Sequence, residues 1–175
     1  LEVTGFQHET LNLTGGKKLT GPLVTGHLVG AQKVVVAVCT VGDKIDEYAS
    51  QVMADDIVLG LAVDGVGSAA VEALANGVCR QIELEAAANE MQATIPLSPG
   101  MIGWSVEEGQ PVVFDLIDSD KIGVKLTPYF LMVPRKTLSM IIGLGPGINS
   151  GERICDYCAM RETCRYQDHY QEIHG

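Results

Sequence analysis

Positive charge is scarce in this chain. Its 175 residues carry 12 Lys+Arg against 22 Asp+Glu, a formal net charge of −10. A surface that repels polyanions lacks the counterion release that drives binding to a phosphate backbone, so neither a nucleic acid nor an anionic membrane surface is expected as a partner. Aromatic residues are few (5%) and there is one tryptophan, Trp104, while glycine is plentiful at 20, a balance that favours close backbone packing over aromatic layers. Uninterrupted apolar runs are short. The longest, Val34–Cys39, is strand-sized, far from the ~18 residues of a membrane span. No basic-then-apolar leader follows Leu1, and the expectation is a cytoplasmic protein with no membrane partner. Internal repeats, low-complexity tracts and a Gly-x-Ser-x-Gly elbow are all absent, and nothing suggests a hydrolase.

What is present folds. Apolar residues make up 46% and charged residues 19%, enough for one domain with a core. Residues 1–33 read as short strands and turns. Val34–Cys39 is a β-branched run and reads as a buried strand. After it the apolar period changes to that of a helix over 43–54, with Asp43 at its N-cap, and then over 55–89, with close contacts or turns at Gly60, Gly65 and Gly67. In the second helix Val71, Leu74, Ala75, Val78 and Ile82 make an apolar stripe, flanked by Glu72, Asn76, Cys79 and Glu83. Pro96 and Pro99 force an extended loop at 94–100, a short helix follows at 109–117, and three strands at 123–127, 129–133 and 138–144. Strands, then helices, then adjacent strands predict an α+β fold with an antiparallel sheet flanked by helices. The body is expected over 1–150, and a cysteine-rich tail over 151–175.

That tail carries the sharpest chemical signal. Cys155, Cys158 and Cys164 are three of five cysteines, packed within ten residues. Cys-x2-Cys puts two sulfurs within reach of one metal, and a third arrives a turn or two later. Thiolates are soft ligands and select an iron–sulfur cluster or zinc. An iron–sulfur cluster, as [4Fe-4S], takes its fourth ligand from Cys79, with Cys39 behind it; zinc takes it from His169. The bland alternatives are unligated thiols in the tail and small buried hydrophobes at Cys79 and Cys39. The segment resembles the cluster-binding hook of RecB-type nucleases over about ten residues. His8 and His27 read as surface histidines, and Glu83, Glu85 and Glu90 as a solvated face. Gly143-Leu144-Gly145-Pro146-Gly147 lacks the crossover helix of a dinucleotide site.

A longer likeness runs through the body. Ser98-Pro99-Gly100, Ile122–Thr127, Phe130-x-Met132-x-Pro134, Ser139 and the helix around Val71–Ala75 stand in one collinear order. In these residues the chain resembles the activation domain of cobalamin-dependent methionine synthase. The resemblance implies that family's twisted antiparallel sheet. It also implies an S-adenosylmethionine site, with Glu72 contacting the ligand and Ser98, Pro99, Gly100 and Met101 forming its backbone platform. Pro96 and Met101 depart from the family's arginine and tyrosine, and a proline cannot hold a carboxylate bidentately. A stand-alone activator of corrinoid proteins is therefore expected, relaying a low-potential electron from the tail's cluster to a Co(II) corrinoid on its partner. The alternatives are an S-adenosylmethionine-binding methyl-donor domain and a zinc-stabilised adaptor without catalysis.

Overall fold

A computed structural model describes residues 1–148 and 151–165. It is a mixed α+β structure of helices and small antiparallel sheets. The strands fall into three sheets where the sequence suggests one. The first is a meander of β1 (Val3–Gln7), β2 (Thr10–Leu13) and β3 (Lys18–Thr20). A short helix α1 (Pro22–His27), unforeseen in the sequence, begins on the proline at its first turn, where a missing N–H costs nothing.

The central sheet has the order β4-β8-β5, formed by β4 (Lys33–Thr40), β8 (Thr137–Gly145) and β5 (Gln92–Ala93). β4 and β8 run antiparallel in unbroken register from Lys33↔Leu144 to Thr40↔Thr137. Alternation along a strand sends successive side chains to opposite faces. Val34, Val36, Val38 and Ile141 point into a core built with the meander, α1, Leu97 and Trp104. Val35, Ala37, Cys39, Met140 and Ile142 point the other way, onto the second long helix.

That helix, α3 (Ile57–Ala88), and α2 (Lys44–Asp55) form an antiparallel hairpin. Asp56 alone joins them. Its extended backbone ends α2, and its Oδ1 accepts from Leu59 N at 3.0 Å, capping α3. The capping bond expected at Asp43 is not made: Asp43 is already in helical backbone geometry, with no side-chain bond to the helix. Glycine is required at Gly60, where a Cβ would stand 2.6 Å from that of Met53. Gly67 likewise meets Ile45 and Lys136, whereas Gly65 faces open space.

α3 also revises the reading of hydropathy. An 18-residue window within it averages 1.7, so by length and composition it is long and apolar enough to cross a membrane. Glycine and single polar residues break the apolar runs yet leave the mean high, which a search for unbroken runs overlooks. The window is 17% buried.

Beyond these lie α4 (Val106–Leu116) and a two-stranded hairpin, β6 (Lys125–Leu126) and β7 (Met132–Val133), with a 3-10 turn at Ser119–Ile122 between them. α4 starts three residues before the predicted 109. Ser105 and Glu108 explain it: Glu108 N donates to Ser105 Oγ (3.2 Å) while that hydroxyl reaches the Glu108 carboxylate (3.0 Å), a reciprocal cap. Pro111 stands at the middle of the helix, where its missing N–H forgoes the bond to the carbonyl of Glu107. Tyr129 and Phe130, expected in a strand, form the turn between β6 and β7.

Candidate functional site: the cysteine hook and the loop beneath it

The hook is a succession of tight turns. Ile154–Tyr157 forms one 3-10 turn, Cys158 N donates to Cys155 O at 3.4 Å, and Arg161 N donates to Cys158 O at 3.0 Å. Each turn is stamped by a cysteine, and all three thiols are half-buried. One carboxylate fastens the turns together. Asp156 accepts from Arg153 Nη2 at 3.0 Å and lies 3.2 Å from Arg161 Nη2. Hydrogen bonding from Arg153, then the two guanidinium charges, holds its pKa below the ordinary carboxylate value. Two arginines at the base of a thiol-rich turn also suit an anionic metal–thiolate group.

The hook is docked rather than trailing. Tyr157 O accepts from Ile102 N at 3.1 Å, and its ring meets His27 edge-on with centroids 4.4 Å apart. His27 is therefore not the surface histidine expected from its Gly/Thr-rich surroundings. Its Nδ1 faces Leu23 O at 2.8 Å, an acceptor, so Nδ1 carries a proton. Its buried Nε2 is 2.8 Å from a Glu152 carboxylate oxygen but out of line for a hydrogen bond, so the contact is electrostatic. It attracts only when the ring is doubly protonated. Nothing in the sequence pairs residues 27, 152 and 157; only the fold does.

The loop beneath the hook is the one assigned to S-adenosylmethionine by resemblance. Leu97 leads into it as an edge bridge to Ile141 of β8. The loop closes upon itself: Met101 N donates to Ser98 O (3.2 Å), Gly100 N to Trp104 O (2.8 Å), Trp104 N to Met101 O (3.0 Å), and Ser98 N to Met101 Sδ (3.2 Å). Pro99 and Trp104 pack so closely on Gly109 of α4 that a Cβ there would lie 2.8 Å from both. The backbone donors of Ser98, Gly100 and Met101 are thus already used within the loop. Glu72 lies exposed on α3, which covers the opposite face of the central sheet from Leu97, Met101 and Trp104. The structure does not bring Glu72 to the loop.

Nor does it bring Cys79 to the hook. Cys79 packs between α3 and the sheet, with Cys39 beside it, and its Sγ donates to Met140 Sδ at 3.5 Å. Burial, then the charge of Glu83 and the neighbouring Cys39, pushes its pKa up to about 11; burial raises that of Cys39 as well. Both thiols sit across the sheet from the core that receives Tyr157. Among the described residues no three of His, Cys, Asp and Glu converge at metal-ligating distance. His169 lies outside the described residues.

Two polar features escape sequence reasoning. Lys136 is buried, its Nζ 2.8 Å from Asp64 Oδ1 and 3.0 Å from Ser68 Oγ, which pins α3 to the start of β8. A groove of about 250 Å³ is lined by Lys33, Glu85, Asn89 and Met91 at the C-terminal end of α3. No sequence pattern links residues so far apart. Compared with known families and curated proteins, the chain matches no family model and no curated sequence.

Proposed function

We propose that this chain is a stand-alone activation module for a corrinoid protein. In this reading Cys155, Cys158 and Cys164 hold an iron–sulfur cluster, which when bound supplies the low-potential electron that a Co(II) corrinoid needs before it is remethylated. The observation that carries the reading is the hook itself: three half-buried thiols at Cys-x2-Cys-x5-Cys spacing, wound on a turn that Asp156, Arg153 and Arg161 fasten. The donor set fits the group by softness and charge. The fourth ligand then comes from beyond the described residues or from the partner, because Cys79 and Cys39 lie across the sheet. The finer fold, a twisted sheet of the methionine synthase activation type, and a cytoplasmic setting that keeps the thiols reduced belong to the same proposal.

What the chain's own residues do is position. His27 and Ile102 seat Tyr157, which fixes the hook to the body. The chain's acidic charge selects against polyanions and leaves a cationic or neutral protein surface as its partner. The test is iron, zinc and acid-labile sulfide on anaerobically purified protein, with the visible spectrum before and after dithionite. The expected result is several irons and matching sulfide per chain, and an absorbance that bleaches on reduction. Stoichiometric zinc and a flat spectrum would sink the electron-transfer reading.

Structural zinc is the second reading, favoured by the same docking contacts, since a hook clasped to the core by Tyr157 behaves as a staple. Binding of S-adenosylmethionine has less support, because the loop at Ser98–Met101 already uses the donors it would offer.

A further inference from the structure

Three sulfurs from three elements meet on the α3 face of the central sheet. Cys79 comes from α3, Cys39 from β4 and Met140 from β8, and all three lie in one packed cluster. The strand register accounts for two of them. Cys39 pairs with Leu138 and Ala37 with Met140, so Cys39 and Met140 are diagonal neighbours on one face of the ladder, within reach of each other's side chains. Cys79 closes the group from the helix. Its Sγ donates to Met140 Sδ at 3.5 Å, and it lies near enough to Cys39 for the charge of one thiol to act on the other. No disulfide joins the two cysteines.

We infer that these sulfurs form a second metal site, separate from the hook, for a soft monovalent cation of the Cu(I) class. The donor types select the ion. Thiolate and thioether are soft ligands that suit Cu(I). Zinc fits poorly, because it takes four ligands and, among the described residues, no third His, Cys, Asp or Glu joins the two thiols. Charge agrees. Cys39 and Met140 are 6% and 3% exposed, and a net charge in such a place is costly. Cu(I) displaces the Cys79 proton to solvent, so ion and thiolate are neutral together, and Cys39 and Met140 donate as neutral sulfurs. A divalent ion bound in the same way would leave a charge behind.

The geometry is nearly set without the ion. The Cys79 S–H already points its proton at a thioether lone pair, and a metal in place of that proton keeps both partners. Two ligands of one ion, with metal–sulfur bonds of about 2.3 Å, stand about 4 Å apart, so the contact has to widen by only about half an ångström. Cys79 is half-buried, which leaves its side of the cluster open to an entering ion. Glu83, exposed one turn further along α3, puts a carboxylate beside that approach.

The inference rests neither on the hook nor on the corrinoid reading, and its test takes the hook away. The full chain carrying Cys155→Ser, Cys158→Ser and Cys164→Ser is loaded with Cu(I) under anaerobic conditions and dialysed against the Cu(I) chelator bathocuproine disulfonate. One copper per chain should remain, and the melting midpoint should rise, since the ion binds the folded state. Adding Met140→Leu, which conserves volume, should weaken retention by about tenfold or more, and adding Cys79→Ala should abolish it. In the native chain, whose hook thiols also take copper, Cys79→Ala should lower the copper count by one, a readout that does not depend on the hook variant folding. No copper kept by a folded hook-free chain would overturn the inference. So would retention that Met140→Leu and Cys79→Ala leave unchanged.

Discussion

The two faces of the central sheet are built by different means. One is filled by volume: Leu11, Leu19, Leu28, Leu97, Trp104 and Val113 are all essentially inaccessible, and the hook leans on them through Tyr157. The other is covered by one helix, which sets Ala75, Val78, Ile82 and Ala86 and the thiol of Cys79 against Cys39, Met140 and Ile142 of the sheet. The same residue type thus has two fates. Cysteine on the α3 face behaves as a small hydrophobe with its proton held on; cysteine on the far side is half-buried among arginines and turns. Spacing along the chain separates these fates only in part, because a thiol's chemistry is set by what surrounds it.

Removing volume from the first face should have the largest effect. Trp104→Ala is expected to cost about 3–5 kcal/mol in urea unfolding. It should also free the hook, read as faster proteolysis within 152–165, because the loop that seats Tyr157 is folded around Trp104. An intact hook in that variant would mean the two are uncoupled.

Next comes the contrast in thiol reactivity. In metal-free protein at pH 8, Cys79 should alkylate about 100-fold more slowly than an ordinary thiol, since its pKa is near 11 instead of 9.0. Mass spectrometry should find Cys155, Cys158 and Cys164 labelled first. Equal labelling of all five would erase the distinction between the faces.

Titration gives a smaller effect with a definite sign. The unfolded thiol of Cys79 loses its proton near 9.0 and the folded one near 11, so between these values the native state binds more protons. Stability is therefore full below pH 9 and falls as pH rises toward 11, by about 1–2 kcal/mol once solvent screening is counted. Cys79→Ala should flatten that slope in denaturant midpoints, and a slope unchanged by the substitution would assign it elsewhere.

The smallest effect is expected at Asp156. Its pKa is held below the ordinary 3.8 by Arg153, so its contribution is present above that value and lost as pH falls through the lower one. Asp156→Asn should leave the global midpoint nearly unmoved at neutral pH while raising proteolysis inside the hook. A hook as resistant as the native one would show that the backbone turns alone hold it.

Much of the backbone was legible in advance because period carries it. β4 announces itself by a β-branched run, β8 by a short apolar stretch, and α2 and α3 by their 3.6-residue period, with ends within a few residues of those observed. The failures are local competitions. A reciprocal cap at Ser105 and Glu108 starts α4 earlier than its apolar residues do, and Asp56 rather than Asp43 caps a helix because only Asp56 has extended backbone. The hook's three cysteines were visible as spacing. Its seat on His27, Ile102 and Glu152 was not, since those contacts span more than 50 residues.

Local order, the α+β class and the clustering of three thiols in the tail follow from the sequence alone, because propensity, periodicity and spacing act between near neighbours. The tertiary structure alone decided which face of the sheet each thiol occupies, that Glu72 and the Ser98–Met101 loop lie apart, and that Val58, Leu61 and Val66 of α3 are exposed. Strand alternation makes each such assignment all-or-none, since a one-residue change of register exchanges the faces, and the register is set by packing across the whole chain.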